Sequence, residues 1–203
     1  MERADRLIDD AVGAGSYGVA EFVADARRIM EAPEGVAERE TAVRALEPLL
    51  RRALAAPGWD DARYATVTES GRPGFEYYRN ADGSLHVYGV LFTPELPTPV
   101  HDHVTWGLIG VASGEQRHTR FRRLDDGAVA GRCAVDEVAD EVLTRGAVYA
   151  LLPPHDIHRI EVVSAEPGLS VHVLGADVTR QRRRVFAIDE GTCEEVEGVS
   201  MAR

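Results

Sequence analysis

Beyond Trp59 the sequence breaks into short runs rich in Val, Tyr, Leu and Ile, each closed by turn residues, and this punctuation limits the fold more than any other feature. The breaks fall at Asn80-Ala81-Asp82-Gly83, between Pro94 and Pro99, at Asp125-Asp126-Gly127 and at Glu166-Pro167-Gly168. Strands are expected over 85–92, 107–111, 117–124, 148–152, 159–163 and 169–174. No amphipathic helix intervenes between them, so the expected class is mainly β, an antiparallel barrel or jelly roll, rather than alternating β and α units.

Ahead of these runs, residues 19–56 carry a helical pattern. Val43, Leu46, Leu49, Leu50 and Leu54 recur at spacings of three and four along one apolar stripe, and Pro57-Gly58 stops it. Glu38, Glu40, Arg44 and Arg51 occupy the other faces, so this stretch should pack by one side onto the barrel. The expected organisation is one domain of 203 residues: a helical segment over 1–58, a barrel over 59–188 and a loosely held acidic tail over 189–203.

Charge narrows the function. A formal net charge of -11 repels phosphate backbones, and the clusters Arg120 to Arg123 and Arg180 to Arg184 lack an aromatic platform, so no nucleic-acid partner is expected. All 23 basic residues are Arg; with no Lys in the chain, lysine Schiff-base chemistry is excluded. The two cysteines, Cys133 and Cys193, have no metal or disulfide spacing and fit a reducing, cytoplasmic setting. Acidic residues interrupt the first twenty positions and no apolar run approaches the length of a membrane span, so neither export nor a membrane partner is expected.

The chemistry lies in the histidines. In Pro99-Val100-His101-Asp102-His103, residues two apart on an extended strand share a face, so His101 and His103 can reach one metal while Asp102 points away. In Leu152-Pro153-Pro154-His155-Asp156-Ile157-His158 a proline turn delivers further imidazoles to a strand start; His158 is the better ligand candidate, with His155 an exposed turn residue. Neutral imidazole suits Fe, Zn, Cu and Ni, and three protein ligands on one octahedral face leave three positions open. His86 and His118 lie in strand-like runs without evident partners and are expected to be packed or solvent-facing.

These motifs resemble the cupin superfamily and, within it, bacterial members of the thiol dioxygenase family that includes cysteine and mercaptopropionate dioxygenases. The first motif reads HDHVTWGLIGVASGEQ and the second GAVYALLPPHDIH. The resemblance, running from roughly Phe22 to Gly198, implies a double-stranded β-helix holding Fe(II) on His101, His103 and His158. Ordinary cupins add a Glu four or five residues after the second His. Here those positions are Gly107 and Leu108, so the ligand set is three His without a carboxylate. A neutral triad leaves more positive charge on iron and favours direct binding of a thiolate.

The same resemblance implies catalytic roles for Ser170 and His172, the first two members of the family's Ser-x-His-x-Tyr relay, with a hydrogen bond between them fixing the imidazole tautomer. Leu174 stands where the family has Tyr, and Gly107 lies near the position of the Cys that cross-links to that Tyr in animal enzymes. Arg183, just beyond the relay, matches by spacing the Arg that clamps a substrate carboxylate. The implied activity is oxidation of a small thiol carboxylic acid, cysteine or 3-mercaptopropionate-like, to its sulfinate with O2, by a monomer or homodimer. Two alternatives remain: a cupin oxygenase acting on a non-thiol metabolite, and a cupin that binds a ligand in its metal pocket without turnover.

Overall fold

In a computed structural model, which describes residues 17–31, 39–68, 71–198 and 201–202, two helices precede thirteen strands. The helices are α1 (Val19–Met30) and α2 (Arg39–Leu54). The strands are β1 (Ala65–Thr68), β2 (Pro73–Arg79), β3 (His86–Phe92), β4 (Val100–His101), β5 (Gly107–Ser113), β6 (Gln116–Arg123) and β7 (Val135–Leu143). There follow β8 (Val148–Leu151), β9 (Ile157–Val162), β10 (Gly168–Leu174), β11 (Arg183–Ala187), β12 (Thr192–Val196) and β13 (Met201–Ala202). One sheet runs β13-β1-β2-β3-β10-β5-β8 and the other β12-β11-β4-β9-β6-β7, with antiparallel neighbours throughout. The two antiparallel sheets behind N-terminal helices agree with the mainly β, jelly-roll class expected from the sequence.

The helices cover the outer face of the seven-stranded sheet. Leu46, Leu50 and Leu54 of α2 and Phe22 and Ile29 of α1 share one core with Val87, Leu108, Leu169, Val171 and Val173. Burying fully a side chain of this size contributes about 1.5–3 kcal/mol. Arg145 donates to the carbonyls of Leu54 and Ala55, capping the C-terminal end of α2, and the Trp59 indole donates to the Ala53 carbonyl. On β10, Leu169, Val171 and Val173 belong to the helix-facing core while Leu174 joins Tyr88, Val90, Phe92, Ile160, Val162 and Val178 inside the barrel. That strand is buried along its whole length, and for this reason it reads as an unbroken apolar run.

Among the described residues beyond Asp189, two strands stand where a loose tail is expected from the acidity. β12 pairs with β11 along Arg183↔Val196 to Ala187↔Thr192, and β13 adds to β1. The backbone ladder decides this, since exposed Glu194 and Glu195 can point to water while their peptide groups pair. Strand β7 also lies outside the expected set. Its Asp and Glu residues mask the alternation, as suits an edge strand that must not pair further.

Candidate metal centre

His101 is the last residue of β4 and pairs with His158 of β9. His103 lies beyond the strand end, in a turn where Val104 takes φ 56°. Two carboxylates hold that turn. Asp156 accepts from the main-chain N–H of His103 (3.0 Å) and of Val104 (2.8 Å), while Asp102 accepts from the N–H and Nε of Arg184, both at 2.7 Å. Asp102 thus points away from the imidazoles, as expected, and fastens them to β11.

The three predicted ligands converge. His103 Nε2 lies 3.1 Å from His158 Nε2, which lies 3.2 Å from His101 Nε2, and all three residues are buried. With metal–nitrogen bonds of about 2.0–2.1 Å, ligand angles between the octahedral and tetrahedral values give separations of about 2.8–3.4 Å, and both of these separations fall within them. Two of the outer nitrogens are engaged elsewhere: His101 Nδ1 meets the Pro99 carbonyl at 2.9 Å and His158 Nδ1 meets His118 Nε2 at 3.0 Å. Such contacts fix the tautomer that turns each Nε2 lone pair inward. Burial, with the field of Arg183, pushes His101 down to about 3; burial and the neighbouring imidazoles hold His103 and His158 well below the usual histidine range. The set is therefore neutral at pH 7, the form a metal requires, and the residues present form a three-histidine metal-binding triad.

His118 is the functional residue that sequence reasoning missed. Its Nε2 supports His158, its ring stacks on Tyr149 (centroids 3.6 Å apart, planes 24°), and the Tyr149 hydroxyl stands 3.4 Å from His158 Nδ1. The available signal was alternation: Gln116 and His118 are inward positions of a strand whose Arg117 and Arg120 face water. His86, likewise without an evident partner in the sequence, accepts from the Val178 N–H and lies 3.7 Å from both Glu76 and Asp177. His155 is an exposed turn residue.

Two members of the triad, His101 and His103, line a cavity of about 350 Å³ together with His172, Tyr88 and Arg183. His172 pairs in register with Tyr88 of β3 and stacks on it, with centroids 4.7 Å apart and planes 7° from parallel. The Ser170 hydroxyl does not bond His172 as the relay implies; the part of Ser170 that acts on that imidazole is its backbone. Ser170 Oγ donates instead to Gln116 Oε1 at 2.6 Å, and His172 Nδ1 is buried without a hydrogen-bond partner among the described residues. The reason is the spacing itself: side chains two apart on a strand run side by side, and the facing Gln116 offers Ser170 a better-aimed acceptor. Leu174 packs inside the barrel over Gly107, where any side chain would overlap the Leu174 methyl group. Leu174 and Gly107 are therefore one packed unit filling the space that a Tyr and a Cys would need.

No protein-family profile matches the chain. Among solved structures it is similar to hydroquinone 1,2-dioxygenase PnpCD in complex with Cd2+ (15% identity, 55% of this chain and 63% of that one, TM-score 0.38). It is also similar to the Schizosaccharomyces pombe Cnp3 cupin domain (9% identity, 52% and 61%, TM-score 0.39) and to Bacillus subtilis oxalate decarboxylase with its Mn(II) centres (18% identity, 52% and 26%, TM-score 0.39). In each case the match spans less than two thirds of the other chain. No helix among the described residues is long and apolar enough to cross a membrane.

Proposed function

We propose that the protein is a non-haem Fe(II) thiol dioxygenase that converts a small thiol carboxylic acid, cysteine or 3-mercaptopropionate-like, to its sulfinate. The observation that carries this reading is the juxtaposition of a carboxylate-free, neutral imidazole triad with Arg183 on one cavity. When bound, Fe(II) on three neutral ligands supplies an undiminished dication where a thiolate and dioxygen can meet. The reaction balances as RS⁻ plus O2 giving RSO2⁻, both oxygen atoms ending on sulfur.

The chain's own residues bind and orient. The Arg183 side chain lines the cavity and makes no ion pair among the described residues, so its guanidinium end can take a carboxylate entering the cavity. His172, neutral because burial and His101 push it down to about 3, is held flat against Tyr88 on the cavity lining. Val90, Phe92 and Ile160 form an apolar wall that excludes water around the reacting sulfur. Ser170 acts at one remove, by fixing Gln116 and the β10 strand.

The test is oxygen consumption by anaerobically iron-loaded protein with cysteine, 3-mercaptopropionate, mercaptosuccinate and cysteamine offered separately and iron measured in the same sample. Uptake with one of them and its loss, together with tight metal binding, in His158→Ala is the expected result. Silence from iron-replete protein with every thiol sinks the reading. Leu174, seated over Gly107 where the family has Tyr, favours a second one: an oxygenase that keeps the metal and takes a non-thiol metabolite. Iron-dependent uptake with such a metabolite alone would select it.

A further inference from the structure

The only two cysteines of the chain, far apart in the sequence, meet at one β-bridge. Arg132 pairs with Thr192 there, and main-chain bonds close the bridge on both sides: the Cys133 N–H donates to the Gly191 carbonyl and the Cys193 N–H to the Gly131 carbonyl, each at 3.1 Å. Side chains alternate along such a pair, so the two thiols, one residue beyond the bridge on each strand, leave by the same face. Each sulfur then reaches across to the other strand. Cys133 Sγ donates to the Thr192 carbonyl at 3.0 Å and Cys193 Sγ to the Arg132 carbonyl at 3.5 Å. The thiols also act on each other: burial, then the charge and the side-chain hydrogen bond of Cys193, push the Cys133 thiol up. Arg123, whose Nη2 donates to the Arg132 carbonyl at 3.0 Å, lies within electrostatic reach of both sulfurs and opposes that rise by favouring a thiolate.

We infer that Cys133 and Cys193 are a redox-sensitive pair that closes to a disulfide when the protein meets a hydroperoxide. Cys193 is partly exposed and Cys133 only 7% exposed, so Cys193 reacts first. Its thiolate attacks the peroxide; the O–O bond breaks, an S–O bond forms, and Cys193 becomes a sulfenic acid as water or an alcohol leaves. The Cys133 thiolate then attacks that sulfur. An S–S bond forms, the S–O bond breaks, and the departing hydroxide takes the Cys133 proton to leave as water. Two thiols and one hydroperoxide thus give a disulfide, an alcohol or water, and a further water, with two electrons passing from sulfur to the O–O bond. The new bond ties β12 to the segment between β6 and β7. Strand β12 pairs with β11, which carries Arg183, and runs on into Glu197 and Gly198 on the cavity lining. Oxidation therefore staples one wall of the cavity without altering a triad residue, whatever reaction the cavity hosts.

The test is a few equivalents of hydrogen peroxide on the full chain, with zinc in the buffer to keep redox-active iron off the triad. Both thiols should disappear together, non-reducing peptide mapping should join Cys133 to Cys193 within one chain, and dithiothreitol should restore them. Because the bond closes a loop of roughly 60 residues, the oxidised protein should melt about 5–15 °C higher than the reduced one. Cys133→Ser should stop at the Cys193 sulfenic acid, captured by dimedone, whereas Cys193→Ser should keep its remaining thiol at the same dose. A full thiol count after treatment of the unaltered protein overturns the proposal. So does a sulfinic acid on Cys193 beside a free Cys133, or a disulfide between two chains. A bond that forms without raising the melting temperature would refute the staple, since β12 would then gain nothing from it.

Discussion

Removing the imidazole behind His158 tests whether the metal centre depends on its outer contacts. When His158 ligates through Nε2, its Nδ1–H must donate to His118 Nε2, which can accept because burial holds His118 neutral, down at about 3. The bond is 3.0 Å long between residues with at most 1% exposure, so no water replaces the acceptor when it is deleted. Loss of such a partner typically costs 10–100-fold in metal affinity, about 1.4–2.7 kcal/mol. His118→Phe keeps a ring to stack on Tyr149 while removing Nε2, and the Tyr149 hydroxyl, 3.4 Å from His158 Nδ1, can take over part of the role. The single variant should therefore lose about tenfold and His118→Phe with Tyr149→Phe about a hundredfold, near the two ends of that range. Competition for Zn(II) and Co(II) against a chromogenic chelator gives the affinity. The Co(II) ligand-field spectrum reports whether three nitrogens remain bound, and melting of the metal-free proteins separates a lost fold from a lost contact. A double variant that melts normally and binds within about twofold of the parent would refute the argument, since the contact would then contribute under about 0.5 kcal/mol.

Acid should destabilise the protein through its buried histidines. Burial pushes His86 down to about 4 from an unfolded value of 6.5, so the unfolded chain takes up the proton first; stability is intact above pH 6.5 and falls towards pH 4, by about 3 kcal/mol for this residue alone. Urea midpoints measured across that window should give a slope about one proton smaller in His86→Met, and an equal slope would show that His86 is not buried neutral. Gly198 lines the cavity where any Cβ would overlap the Val178 carbonyl, so Gly198→Ala should cost about 1–3 kcal/mol in melting or denaturant experiments, and unchanged stability would mean that the last strands are not seated as described.

How much was legible in the sequence follows from the range of the interactions involved. The jelly roll and the helical cover were readable because alternation, turn residues and the leucine stripe are local signals, each confined to a few consecutive positions. The three imidazoles were readable because they lie in two short motifs, although His103 stands in a turn beyond β4 and not on the extended strand that the spacing suggested. β12 escaped because its pairing depends on backbone groups of β11 and not on its own acidic side chains. Ser170 was misassigned as the partner of His172 because the sequence cannot show that Gln116, 54 residues away, stands opposite it.

The sequence by itself therefore determined the class of fold, the absence of lysine chemistry and the three imidazoles that can hold a metal. Only the tertiary structure decided what surrounds them: His118 behind His158, Tyr88 against His172 and Leu174 over Gly107. Each of those pairs joins strands brought together by chain reversal or sheet packing, and hydrogen bonds and close packing act over a few ångströms of space whatever the separation along the chain.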